Sequence, residues 1–265
     1  MTSLREFYFV NVRPIIRTLK DKFMLALSFF VIALLYAIVG FGGGSSYLAA
    51  LAVSSVPYSL IPKLALICNL LVVSGSCYHF YKNKHFNKTL ILPFVLASVP
   101  LAFWGGMFHL TEKSFLILLT SCLILAGVRL LFIPKTSVES TKMPSLPVSL
   151  FVGGGLGFLS GLVGIGGGIF LAPLMLNLKW GKPKEVASTA SAFIFLNSLA
   201  GLIGQLTKAM ETELLHYWPL YLAVVCGGML GSFMGSHPRI SQASIQRLTA
   251  ILILFISVKL LIKVF

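Results

Sequence analysis

A six-residue glycine-rich stretch occurs twice in this chain. Each copy interrupts an apolar run too long to be one membrane-crossing helix. The copies read Val39-Gly40-Phe41-Gly42-Gly43-Gly44 and Val163-Gly164-Ile165-Gly166-Gly167-Gly168, identical at five of six positions. They sit in the charge-free runs Phe23 to Pro62 and Met143 to Leu178. As one helix the first run would be about 60 Å long, twice the ~30 Å of hydrocarbon in a bilayer. The run therefore breaks, and glycine, lacking a Cβ, takes the backbone conformations that stop a helix. Broken backbone at membrane depth survives only where protein buries it or where it lines a cavity. Two breaks at matching places in two halves point to a transport site.

With 11% charged residues and a mean hydropathy of +0.93, the 265-residue chain reads as an all-α polytopic membrane protein. The net charge of +14 is the usual excess of Lys and Arg in membrane loops. No basic segment interleaved with aromatics accompanies it, so nucleic acid is not expected as a partner. Cysteines 68, 77, 122 and 226 are scattered through apolar runs; they read as small buried hydrophobes, not as a disulfide or metal set.

Residues 1–22 form a basic tail with Arg5, Arg13, Arg17, Lys20 and Lys22, and the apolar run after it is too long for a signal peptide. The spacing predicts a first repeat over 23–133, with spans near 23–42, 64–81, 89–108 and 114–133. A half-helix or re-entrant piece over 45–61 follows the first glycines. A polar linker, 134–147, holds Pro134, Lys135, Glu139 and Lys142. A second repeat over 148–265 has spans near 148–168, 186–206, 217–236 and 243–262. The halves share further matches in order: Pro62-Lys63 with Pro183-Lys184, Leu110-Thr111 with Ile240-Ser241, and Val128-Arg129-Leu130-Leu131 with Val258-Lys259-Leu260-Leu261. With eight spans and the N-terminus inside, Lys and Arg number 14 inside against 7 outside, so both termini are expected in the cytoplasm. Four complete spans per half would orient the repeats alike. Full crossing by the break pieces would give five per half and invert them. Gly153, Gly157 and Gly161, like Gly227, Gly231 and Gly235, recur every four residues, a spacing that lets helix backbones touch in lipid.

The candidate binding residues are Gly42, Gly43, Gly44 and Ser45 at the first break, Asn69 on the second span, Gly166, Gly167 and Gly168 at the second break, and Ser188, Thr189, Ser191 and Asn197 on the sixth span. Helix N-termini and successive Gly N–H groups suit an anion, and hydroxyls and amides add neutral donors. The competing reading of these polar residues is helix–helix hydrogen bonding. Glu185 either pairs with Lys182 or Lys184 or titrates to couple transport to protons. His79, His109, His216 and His237 fall near span ends, and Arg129 and Lys259 are placed to snorkel. No catalytic constellation stands out, and no cofactor or metal is expected. A passive channel for a small solute is the alternative to a carrier. The partners are a small anionic substrate and the lipid bilayer, and the sequence leaves the oligomeric state open.

The Gly-rich break, the Pro183-Lys184-Glu185-Val186-Ala187-Ser188-Thr189-Ala190-Ser191 start of the sixth span and the duplication together resemble the TauE/SafE family of sulfite and organosulfonate exporters. The resemblance covers about residues 23–262 and is strongest at Gly161–Pro173 and Pro183–Asn197. In the first half Cys68-Asn69 stands where the second has Thr189-Ala190. The resemblance implies a bacterial inner-membrane permease for sulfite, sulfoacetate or a related sulfur anion.

Overall fold

The computed structural model describes residues 13–39, 41–54, 56–82, 85–131, 141–208 and 212–235, with part of 247–262. Every regular element among them is helical. In chain order these are α1 (Arg13–Val39), α2 (Gly44–Val53), α3 (Ile61–Lys82), α4 (Lys88–Met107), α5 (Glu112–Leu131), α6 (Leu146–Val163), α7 (Gly168–Asn177), α8 (Pro183–Leu206), a 3-10 turn (Thr212–Tyr217) and α9 (Trp218–Gly235). Among the described residues, five segments are long and apolar enough to cross a membrane: Ile61–Lys82, Lys88–Met107, Leu146–Val163, Pro183–Leu206 and Glu213–Met234. They coincide with the expected second, third, fifth, sixth and seventh spans. The eighth is described only in part. Residues 1–12, Gly40, Pro134, Lys135, Glu139, His237, Ile240, Ser241 and Lys259, and the surroundings of Gly235, lie outside the described residues.

The basic tail is not separate from the first span. α1 starts at Arg13, because Arg and Lys are good helix formers and carry the helix out past the apolar stretch. The two glycine clusters end α1 and α6 and start α2 and α7. They do not kink the chain onward; they fold it back. Lys142 N–H donates to the Lys179 carbonyl at 2.9 Å, tying the start of α6 to the end of α7. In the first half the Tyr47 ring of α2 stacks on Phe29 of α1, centroids 4.7 Å apart.

Glycines set the packing and the chain directions. A Cβ at Gly153 would meet the Phe94 carbonyl, one at Gly157 the Ser98 carbonyl and one at Gly161 the Ala102 carbonyl. Residue numbers rise together, so α6 runs parallel to α4. Gly227 meets Phe30 and Gly231 meets Leu34 in the same way, so α9 runs parallel to α1. α3 and α8 are antiparallel: Lys63 at the start of α3 shares a cavity with Gln205 near the end of α8, and Ser188 near the start of α8 donates to the His85 carbonyl beyond α3. The α1–α2 hairpin therefore opens on the face of Tyr58 and Lys63, and the α6–α7 hairpin on the opposite face, with His85 and Lys142. With five helical segments before residue 132, an odd number, the second hairpin enters the opposite way to the first. Four complete spans per half would have sent both hairpins in from the same face; the fold-back at the glycines adds a reversal to the first half, so the two hairpins enter from opposite faces.

The outer surface is apolar, with Phe151 84% and Phe233 70% exposed. Cys68 and Cys122 are buried as expected, while Cys226 is exposed on α9. His79, His109, His216 and Arg129 are all exposed at or near helix ends.

Single cysteines in a cysteine-free background test the two fold-backs. Lys22→Cys and Tyr58→Cys should react with an impermeant maleimide from one side of the membrane, and Lys142→Cys and Lys179→Cys from the other. Opposite sidedness of Lys142→Cys and Lys179→Cys would mean that α7 crosses onward.

Candidate functional site

At the first break Gly43 adopts φ 82° and caps α2. At the second, Gly164, Gly166 and Gly167 have φ of 91°, 83° and 78°. A side chain in this left-handed region is strained, which is why glycine stands there. The geometry aims the first N–H groups of α2 and α7, which have no partner within their own helices, into the protein interior.

The two breaks meet at Asn69 on α3, which is fully buried. Its Nδ2 donates to the Ile165 carbonyl of the second break at 3.3 Å. A Cβ on Gly42 would come 2.7 Å from Asn69 Oδ1, and one on Gly166 2.8 Å from Asn69 Nδ2 and 3.2 Å from Ser198 Oγ. A Cβ on Gly44 would meet Asn69 Nδ2 and, at 2.5 Å, the Ile165 carbonyl. Gly42, Gly44 and Gly166 thus each abut the Asn69 amide. A small cavity lies among Gly42, Gly43, Gly44, Ser45, Asn69 and Ile165, with about 10 Å³ open to the centre of a water molecule, room for roughly one.

The other expected residues divide. Gly167 packs on the Phe193 ring and Gly168 on Ile194, both of α8. Thr189, Phe193 and Asn197, spaced by four, share one side of that helix. Thr189 and Asn197 are fully buried. Ser188 does not face the breaks: it donates to the His85 and Glu185 carbonyls. Ser191 donates to the Ala187 carbonyl of its own helix at 2.9 Å. Glu185 accepts from the Lys182 backbone N–H at 2.9 Å, reaching back to the start of α8. Its partner is thus the backbone at the helix start rather than a lysine ammonium.

Sequence reasoning missed a layer of hydroxyls. Tyr36 OH on α1 lies 2.9 Å from both Ser45 Oγ and Ser46 Oγ on α2, pinning the first hairpin shut. A tyrosine in an apolar run looks like any lipid-facing aromatic, and only its place six residues before the glycine triplet hinted at this role. Buried side-chain polar atoms without a hydrogen-bond partner in the protein include Tyr47 OH, Asn69 Oδ1, Thr189 Oγ1, both amide atoms of Asn197, Ser160 Oγ and Ser198 Oγ; Tyr47, Asn69 and Ser198 stand against the break glycines. Each such group costs about 1–3 kcal/mol. Among the described residues no group of three His, Cys, Asp or Glu is placed to hold a metal ion.

Charge stands at the faces. Lys63, 2% exposed, lines a cavity of about 200 Å³ with Lys208 and Gln205. Burial, and then the charge of Lys63, lower the Lys208 ammonium to about 8. On the opposite face Lys88, Lys182 and Lys184 line a wider depression with His85 and Glu185.

A family described as the sulfite exporter TauE/SafE matches residues 25–260. A protein of Sinorhizobium fredii named probable membrane transporter protein y4hK is 34% identical over 242 residues, 89% of this chain and 97% of that one. The probable membrane transporter protein YunE of Bacillus subtilis is 25% identical over 76% of this chain and 82% of its own. A probable membrane transporter protein of Haemophilus influenzae is 28% identical over 74% of this chain and 77% of its own. No solved structure matches the chain.

The glycine geometry predicts a stability contrast. Gly166→Ala puts a Cβ against Asn69 at positive φ and should cost about 1–3 kcal/mol. Gly155→Ala, with nothing within 4 Å of its Cβ, should be neutral or gain up to about 1 kcal/mol in helix propensity. Thermal unfolding in detergent reads both, and equal midpoints would refute the contrast. Gly157→Ala is not a usable control, because its Cβ would overlap Ser98.

Proposed function

The chain belongs to the sulfite exporter TauE/SafE family of membrane transporters, and from that premise we propose that it is a carrier of a small anion, sulfite, a sulfonate or a related sulfur anion, working by alternating access at the meeting helix breaks. The observation that carries the reading is the junction at Asn69. Two hairpins from opposite faces bring their helix N-termini together there, beside buried polar atoms that lack partners. Helix N-termini stabilise negative charge, and Ser, Thr, Tyr and Asn side chains donate to it without a full positive charge. A buried lysine would bind an anion more tightly and release it more slowly. Gly42, Gly43, Gly44, Ser45, Asn69, Gly166, Gly167, Gly168, Thr189 and Asn197 form the proposed binding site, with Ser198 and Tyr47 added. Ser188 and Ser191 support α8 from outside it.

The oppositely directed hairpins and the ordered sequence matches support a duplicated chain, 23–133 and 148–265, whose halves rock about the junction. Room for one water favours a carrier over an open channel, since a sulfur anion enters only when the halves move apart. Glu185 is the acid to test for proton coupling. We place the protein in the bacterial inner membrane with the start of α1, carrying Arg13, Arg17, Lys20 and Lys22, on the cytoplasmic side.

Proteoliposomes loaded with labelled sulfite test the reading. A carrier gives saturable flux and counterflow, while non-saturating flux without counterflow indicates a channel and overturns it. Asn69→Ala and Ser198→Ala should each lower flux at limiting substrate at least tenfold, as expected for a lost hydrogen bond to a charged group. Gly43→Leu and Gly167→Leu should abolish it, while Gly155→Ala leaves it unchanged. Normal flux through both leucine variants would remove the site from the breaks.

A further inference from the structure

The cavity of about 200 Å³ between the start of α3 and the end of α8 is separate from the junction and chemically unlike it. Lys63 sits in the first turn of α3, fixed by the Pro62 before it, and is nearly inaccessible to solvent. Lys208 lies just past the end of α8 and is only partly exposed. Its Nζ donates to Gln205 Oε1 at 3.1 Å. Gln205 in turn donates to the Gly161 carbonyl at 2.8 Å and the Leu162 carbonyl at 3.4 Å. Lys208 is therefore held by a side chain anchored at the end of α6, where the second break begins. Ser59 and His109 add polar groups to the wall, and no Asp or Glu is among the described residues that line it. Two ammonium groups in one half-enclosed cavity repel each other; Lys208 is lowered first by burial and then by the charge of Lys63, and an anion between them relieves both costs.

We propose that this cavity is a second anion site, a vestibule in which a tetrahedral or pyramidal oxyanion sits between Lys63 and Lys208 before or after its passage through the junction. The proposal rests on the reading of the chain as an anion carrier. The two sites share a wall: Leu162 lines the vestibule, and a Cβ on Gly164 would lie 2.8 Å from Cα of Pro62. The vestibule attracts by full charge and the junction binds by dipoles, so the anion passes from stronger attraction to weaker desolvated binding. An ammonium has three N–H donors, and the bond to Gln205 uses one of those of Lys208.

The test is protection of Lys208 from acylation, followed by mass spectrometry on the intact chain in nanodiscs of phosphatidylcholine near pH 8. At that pH Lys208 is the more reactive for its lowered proton affinity. Sodium sulfate, against sodium chloride at equal ionic strength, should slow acylation of Lys208 at least fivefold while leaving Lys142 and Lys179 unchanged. The same protection should persist in Asn69→Ala, which touches only the junction. Equal acylation of Lys208 in both salts overturns the vestibular site. Protection produced by phosphatidylglycerol without sulfate assigns the cavity to a lipid phosphate and also overturns it. Flux assays separate the two readings. Protection without sulfite flux leaves the vestibule and sinks the carrier, while flux without protection does the reverse.

Discussion

A backbone break inside lipid has to be covered by protein, and in this molecule each break covers the other. The Asn69 side chain is the hinge of that arrangement. Its amide N–H reaches across to the Ile165 carbonyl, satisfying an acceptor that the end of α6 leaves open. Its other atom faces Gly42. The approach works only because there is no Cβ at Gly42, Gly44 or Gly166, each of which would collide with the amide. The amide therefore fixes the distance between the hairpins, and the glycines make that distance attainable.

Around the junction the helices are held by backbone-to-backbone contact. α4 is wedged between α6 and α8: Gly153, Gly157 and Gly161 press on one side of it, and Gly204 on the Phe103 carbonyl on another. In lipid, packing of this kind takes the place of hydrophobic association, because the tails are as apolar as the side chains. Close-packed backbones leave little room for gradual deformation, so movement is expected between such blocks rather than within them. The α1–α9 pair, joined through Gly227 and Gly231, is a second block of the same make. The α1–α2 hairpin meets the rest through softer elements: the Tyr36 hydroxyl with Ser45 and Ser46, and the Tyr47 ring on Phe29.

The helices and the breaks were legible because their signals are local. A charge-free run longer than a bilayer, stopped by glycines, admits few structures, and the four-residue glycine spacing marked the faces that touch. The direction of α2 and α7 was not legible, since a glycine says that a helix stops and not where the chain goes next. The sequence pattern fits either onward crossing or return, and the choice is made by contacts as distant as Lys142 with Lys179. Among the candidate residues, Asn69 and the glycines met because each is odd in its setting. Ser188 was misleading: it shares a polar segment with Thr189, but one residue along a helix turns the side chain by about 100°, toward His85. Tyr36 and Lys208 went unseen because their partners are fixed by the fold-back and by antiparallel α3 and α8.

The distribution of charge follows from the same geometry. A full positive charge at the junction would be desolvated on every side, and burial would drive off its proton or demand a permanent counter-ion. Partial charges of helix ends carry no such penalty, because the peptide dipoles are already neutralised within the helix. Lysines can instead stand where the helices end, as the buried Lys63 and the partly exposed Lys208 do on one face and Lys88, Lys182 and Lys184 on the other. On the carrier reading proposed above, an anion entering from either face would meet ammonium groups first and bare amides second. On that reading, charge at the mouth would raise the anion's local concentration, and neutrality at the centre would limit how tightly it is held, so that the same junction could release it on the far side.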